Sequence, residues 1–162
     1  MVARETRERQ RIATLGALTL ILNPEDEGFA VGNNVALRLI LRTASTGSAL
    51  LLNNDMVMAS DAVWPLVREI GKDPALAAIG GLVMDYQRPV VVQKVGGARA
   101  TGLGIVKVFG AGLRRNAVPA GEALGFVGGG LLLIRIETLR DVGLLDETFF
   151  LYGEDYEWGE PM

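Results

Sequence analysis

The chain of 162 residues contains no cysteine and no histidine. Without cysteine there is no disulfide, no thiolate nucleophile and no Cys-based zinc or iron–sulfur site. Without histidine there is no Ser-His-Asp arrangement and no imidazole ligand. Any metal must therefore be held by oxygen, which selects Mg²⁺ or Mn²⁺. Any general base must be a carboxylate, a Lys or a Tyr. Basic charge is also short: 16 Lys and Arg stand against 19 Asp and Glu, a net charge of −3. A nucleic-acid partner is disfavoured, since phosphates require a basic face. Long apolar runs are missing too. The longest, ALGFVGGGLLLI at 123–134, falls well short of the roughly 20 residues of a membrane helix. The charged opening MVARETRERQ has no apolar signal core close behind it, so no transmembrane segment is expected and the chain reads as cytoplasmic.

What is present is enough for one modest domain. Hydrophobic residues make up 49% of the chain, and the mean hydropathy is +0.29. The glycines are scattered without a period, and no repeat or low-complexity linker interrupts them. ARETRERQRIATLG reads as a charged surface helix ended by Gly16, and ALTLILN as a strand. PEDEGFAVGNN is a loop leading into a helix over NVALRLILRTA, with Arg38 and Arg42 on one face. SALLLNND is a strand of the type covered on both faces. SDAVWPLVREIGKDP is a helix capped by Ser60 or Asp61, with Pro65 near its first turn. LAAIGGLVMD is a third apolar strand. This alternation predicts an α/β fold with a mainly parallel mixed sheet flanked by helices. PVVVQKVGG and GIVKVFG read as shorter strands, GGLLLIR as a strand, and IETLRDVG as a short helix closed by Gly143.

Three stretches can carry chemistry. The loop LNPEDEGFAVGNN delivers Gly28, Gly32, Asn33 and Asn34 to a helix N-terminus, which suits a phosphate or amide contacts to a base; it can equally be a capped helix start. LLLNNDMVM ends an apolar strand in Asn53, Asn54 and Asp55. In open α/β sheets ligands gather beyond the carboxyl ends of strands, and one carboxylate there can hold a hard cation. The same residues also make ordinary turns. DETFFLYGEDYEW sets carboxylates among aromatics, where Asp155, if desolvated, would gain the pKa of a useful base; a solvated acidic stretch is the plainer reading.

Taken in order, these stretches resemble inverting glycosyltransferases of family 2, the GT-A fold group, especially the rhamnosyltransferase-like branch. NPEDEGFAVGNN is similar to the family's NxxNxGFAxGNN loop, and LLLNNDMVMASD to its DxD-containing strand end. GFVGGGLLLIRIETLRDVGLLDETFF is similar to its G-x-x-LLIRR…VG-x-FDE-x-FF segment, and LYGEDYEW to its ED motif. The resemblance spans residues 17–158.

The resemblance implies transfer of a sugar from a nucleotide-diphosphate donor to an acceptor hydroxyl of a glycan, a lipid-linked glycan or a protein, with inversion. It implies a nucleotide and donor site at Gly28, Asn33, Asn34, Asn53, Asn54 and Asp55, with Asp55 as ligand to Mg²⁺ or Mn²⁺. Asp155 takes the place of the catalytic base, and Gly128, Gly129 and Glu154 fall in the acceptor pocket. An enzyme of this kind would work in the cytoplasm, peripherally at the inner face of the membrane. The family's opening strand–helix–strand and its DNASTDGT motif have no counterpart here, nor does the part beyond the ED motif. Residues 1–162 are thus expected to form a single partial domain that lacks the first β-α-β unit and leaves a sheet edge exposed to self-association. Two other readings stay open: a non-catalytic remnant acting as a binding module, and a nucleotidyltransferase of similar sheet. The latter usually opens with a Gly-rich loop and a basic residue, which are not seen here.

Overall fold

The apolar run Leu131–Arg135 forms the middle strand (β10) of a three-stranded sheet, between Ser48–Leu52 (β3) and Ala78–Gly80 (β4). The computed structural model describes residues 11–15, 18–99, 106–118 and 124–162. Four residues of β10 in a row are buried because both faces of the sheet are covered. Leu132 and Ile134 point to one cluster, with Ala30 and Leu37 of the helix Gly28–Thr43 (α1), Leu139 of Ile136–Asp141 (α3) and Trp158 of Glu154–Gly159 (α4). Leu131 and Leu133 point to the other, with Leu66 and Ile70 of Val63–Lys72 (α2). The period of two along the strand thus builds a helix–sheet–helix sandwich.

The class is α/β, but the expected mainly parallel sheet is corrected. Every strand pairing among the described residues is antiparallel. β3 and β4 each run antiparallel to β10, so they run parallel to one another, joined through α2 as the alternation predicts. β10, from far along the chain, inserts between them. Hydrophobic pattern fixes which face of a strand is buried; it does not say which distant strand becomes its neighbour.

The remaining strands are short. Arg11–Leu15 (β1) pairs with Leu18–Leu22 (β2), and Val83–Met84 (β5) with Val92–Lys94 (β6). Gly96–Arg99 (β7) lies between Val106–Phe109 (β8) and Phe126–Val127 (β9). Residues 11–15 are therefore a strand, not the end of a charged helix: the segment RIATL is rich in strand formers once separated from the arginines before it. The rest of that predicted helix lies outside the described residues. LAAIGGLVMD is split: Gly81 still donates its N–H to Leu131 O beside β4's partner strand, whereas Val83–Met84 pairs with β6, leaving β4 and β5 in different sheets.

Helix α1 begins at Gly28, six residues earlier than expected. Gly32, Asn33 and Asn34 are weak helix formers and read as loop, but tertiary contacts override that preference. α2 follows Ala62 with no side-chain cap, so neither Ser60 nor Asp61 caps it; Ala62 N–H instead closes a turn on Ala59 O. Pro65 is the third residue of the helix, where its missing N–H costs no bond. At the other end of α2, the Arg135 guanidinium donates to the carbonyls of Ile70, Asp73 and Leu76, the placement a cation favours at a helix C-terminus. Gly143, at φ +97°, ends α3 as expected.

Candidate functional site

β3 leaves the central sheet at Leu52 and β10 enters it opposite, at Leu131. The residues just beyond them are therefore neighbours. Asn53 N–H donates to Gly130 O at 3.0 Å, and the Asn53 amide nitrogen and Met56 sulfur border the bare α-carbon of Gly130. Asn53–Asp55 and Gly128–Gly130 thus share one corner, at the carboxyl ends of β3 and β4.

Two further segments close on that corner. Gly129 N–H donates to Asp155 Oδ2 at 3.2 Å, while Tyr156 N–H donates to Asp155 Oδ1 at 2.9 Å. A Cβ on Gly129 would stand 3.1 Å from the Phe29 ring. Phe29 is held in turn, its N–H donating to Phe150 O at 2.8 Å. Gly28, at φ +87°, makes that approach possible: a Cβ there would collide with the same carbonyl. At the opposite end of this segment Tyr152 and Gly153 are both left-handed, at φ +67° and +97°. These two residues bend the chain just ahead of Glu154 and Asp155, the first positions of α4.

The sequence-predicted residues fall into two groups. Gly28, Asn53, Gly128, Gly129, Glu154 and Asp155 meet at this end of the sheet. Asn54 and Asp55 sit in the exposed turn just after Asn53. Asn33 and Asn34 are in the second turn of α1 rather than at a loop tip. The Asn33 amide donates to Phe29 O at 2.9 Å within the helix. Asn34 is 1% exposed; its amide donates to Leu145 O and to Glu147 Oε1, and its oxygen accepts from Leu145 N–H. Both of its hydrogens and its carbonyl thus serve to fasten α1 to residues 145–147. Arg38, one turn on, pairs with the same Glu147.

Two residues of the corner were not among those singled out in the sequence. Phe29 packs on Gly129, and Lys94 of β6 lies over Gly128, with its Cε 2.9 Å and its Nζ 3.2 Å from where a Cβ would stand. Glu154 is 5% exposed. Burial raises its carboxyl above the usual carboxylate range, the nearby Asp155 charge adds to this, and its own backbone N–H and the Lys94 charge oppose it. Asp155 also borders a cavity of about 280 Å³ between β4, β9 and α4, walled by Leu76, Ala78, Phe126, Val127 and Trp158.

Among the described residues no three Asp or Glu side chains gather as an all-protein metal cage would require. The donors after β3 are one carboxylate and two amides, all hard oxygens. Such a set fits a cation held largely by ligand phosphates and water, as Mg²⁺ commonly is. Among the described residues no helix is long and apolar enough to cross a membrane. No protein-family model matches the chain, and no curated protein matches it significantly.

Proposed function

We propose that the chain is part of an inverting glycosyltransferase that moves a sugar from a nucleotide-diphosphate donor to a hydroxyl of a glycan or lipid-linked acceptor. The observation that carries this reading is the bond from Gly129 N–H to Asp155 Oδ2 beside the Asn53–Gly130 contact. It joins a candidate base to a polar strand end at one end of the sheet, as the reaction needs.

In this reading Asp155 takes the proton of the acceptor hydroxyl as its oxygen attacks the anomeric carbon. The new C–O bond forms as the bond from that carbon to the diphosphate oxygen breaks, and the diphosphate leaves with the electron pair. The Asn53, Asn54 and Asp55 turn lies where the diphosphate would sit, with Asp55 as the ligand to Mg²⁺ or Mn²⁺. An ion held there would neutralise charge on the leaving group. Gly28 and the first turn of α1 border the donor, and Gly128, Gly129 and Glu154 the acceptor. Work at the inner face of the membrane, in the cytoplasm, belongs to the same proposal. The test is titration with nucleotide-diphosphate sugars with and without Mn²⁺, repeated on Asp55→Ala. Binding that needs the ion and weakens in the variant is expected; binding indifferent to both refutes the donor site.

One observation favours a second reading, a binding module that self-associates. Leu18, Leu20 and Leu22, alternate residues of β2, are 64%, 48% and 51% exposed. Three leucines on one face of a two-stranded ribbon form an apolar surface suited to a second copy. Sedimentation of the chain and of Leu20→Lys separates the readings: self-association lost in the variant favours the module, and a monomer in both excludes it.

A further inference from the structure

Asp155, Trp158, Gly159 and Met162 recur at i, i+3, i+4 and i+7 along α4 and the turn that continues it, which places them on one helical face. That face roofs the cavity of about 280 Å³ whose walls come from β4 and β9, with Leu132 of β10 beneath. α4 is fastened on every side of this space. Gly129 N–H holds Asp155, and Trp158 Nε1–H donates to Gly143 O at 2.9 Å. The Tyr156 ring meets Phe126 edge-on, 5.5 Å between centroids. Gly159 lies so close to the 125–126 segment that a Cβ there would stand 2.5 Å from the Phe126 Cβ. A helix held at these points cannot settle into the space below it, so the cavity is preformed, as small-molecule sites usually are.

Its lining sets what can enter. Leu76, Ala78, Phe126, Val127 and Leu132 offer apolar surface, and the Trp158 N–H is already spent on Gly143. Two carboxylates border the space. Glu160 belongs to the exposed rim with Ala75 and Met162, and it accepts from the Tyr156 hydroxyl at 2.7 Å. Asp155 stands at the other end of the helical face, each of its oxygens accepting one backbone N–H and keeping capacity for a further donor. A fully hydroxylated sugar would set unmatched hydroxyls against the apolar walls. An apolar body with one donor group matches them. An apolar cavity of about 150 Å³ takes a benzene molecule, so this one has room for a ring and a short substituent. We propose that the cavity takes the apolar part of the acceptor, with the reacting hydroxyl at Asp155, so that the accepting unit is an apolar-bodied alcohol. This rests on the glycosyl-transfer reading for its meaning, but occupancy of the cavity can be measured without turnover.

The experiment follows the Trp158 indole N–H by nitrogen NMR in the full chain, told apart from that of the exposed Trp64 by Trp64→Phe. Benzyl alcohol, benzylamine and benzoate are the probes, one ring with three head groups, and glucose is the polar control. Benzyl alcohol and benzylamine are expected to shift the resonance, with benzoate at least about tenfold weaker because its charge meets that of Asp155. Asp155→Asn should bring benzoate close to benzyl alcohol, and Ala78→Leu, which narrows the cavity, should weaken every probe. No shift with any ring probe, glucose acting as strongly as benzyl alcohol, or benzoate matching benzyl alcohol in the parent overturns the proposal. So does an unchanged penalty on benzoate in Asp155→Asn, a variant that decides the matter even if Ala78→Leu does not fold. Failure of metal-dependent donor binding with the head-group preference intact would sink the transferase reading and leave the cavity site standing. Donor binding without the preference would do the reverse.

Discussion

Gly129 donates its backbone N–H to Asp155 Oδ2 over 3.2 Å, and this bond ties the entrance of the central strand to the start of α4. Asp155→Asn retains an acceptor for that N–H but sets its NH₂ against the Tyr156 N–H, and is expected to fold with a smaller loss than Asp155→Ala. Asp155→Ala strands the N–H and is expected to lose about 1–3 kcal/mol in urea denaturation. If Asp155 is the base, both variants should slow transfer by about 10²–10⁴-fold. Equal turnover in parent and Asn variant would remove Asp155 from that role.

Gly28→Ala is expected to be the most damaging single-methyl change at the site. The left-handed backbone alone costs about 1–2 kcal/mol with a Cβ, and the collision with Phe150 O adds to it. Gly32, in the same helix, has nothing within 4 Å of its would-be Cβ, so Gly32→Ala should be neutral or stabilising. Thermal melts of the two variants make the comparison, and equal melting temperatures would contradict it.

Asn34→Ala removes one buried acceptor bond and two donor bonds at once. A loss of about 2–4 kcal/mol is expected. Hydrogen exchange should show the Leu145 amide losing protection ahead of the sheet.

Tyr152 adopts φ +67° while 78% exposed, so packing does little to hold it there. Tyr152→Asn, with a side chain tolerant of that region, is expected to gain up to about 1 kcal/mol. A stabilised variant with impaired ligand binding would mark the tyrosine as functional rather than merely strained.

Glu154 gives the fold a pH dependence of definite sign. Its folded carboxyl binds its proton more tightly than the unfolded one. The stability it contributes is full below the ordinary Glu range and falls as pH rises through the raised folded value. Glu154→Gln should flatten that part of the stability profile and be more stable than the parent at pH 8. A parent whose denaturation midpoint rises over the same interval, by an amount Glu154→Gln abolishes, would reverse the sign.

The covered middle strand was legible in the sequence: LLLIR is a continuous apolar run buried on two sides, whereas SALLL, at the sheet edge, buries Ala49 and Leu51 and leaves Leu52 40% exposed. So was the end of α3, since Gly143 follows a short apolar-periodic stretch. The order of strands was not, because β10 comes from a distant part of the chain. The start of α1 was hidden by glycine and asparagine, whose preference for loops is outweighed by Asn34's bonds to Leu145 and Glu147. Glycines and acids of the corner could be named from motif order. Lys94 could not, because its place depends on the pairing of two short strands that carry no distinctive pattern.

β10 also sets a timetable. Among the described residues β3 and β4 are parallel strands with no mutual hydrogen bonds, and each pairs with Leu131–Arg135. While the chain is being made, both must wait as unpaired apolar segments through the synthesis of everything between Gly80 and Leu131. Closing that sheet requires long loops and a slow search. The interval before β10 emerges is when the chain is most open to aggregation or capture by chaperones.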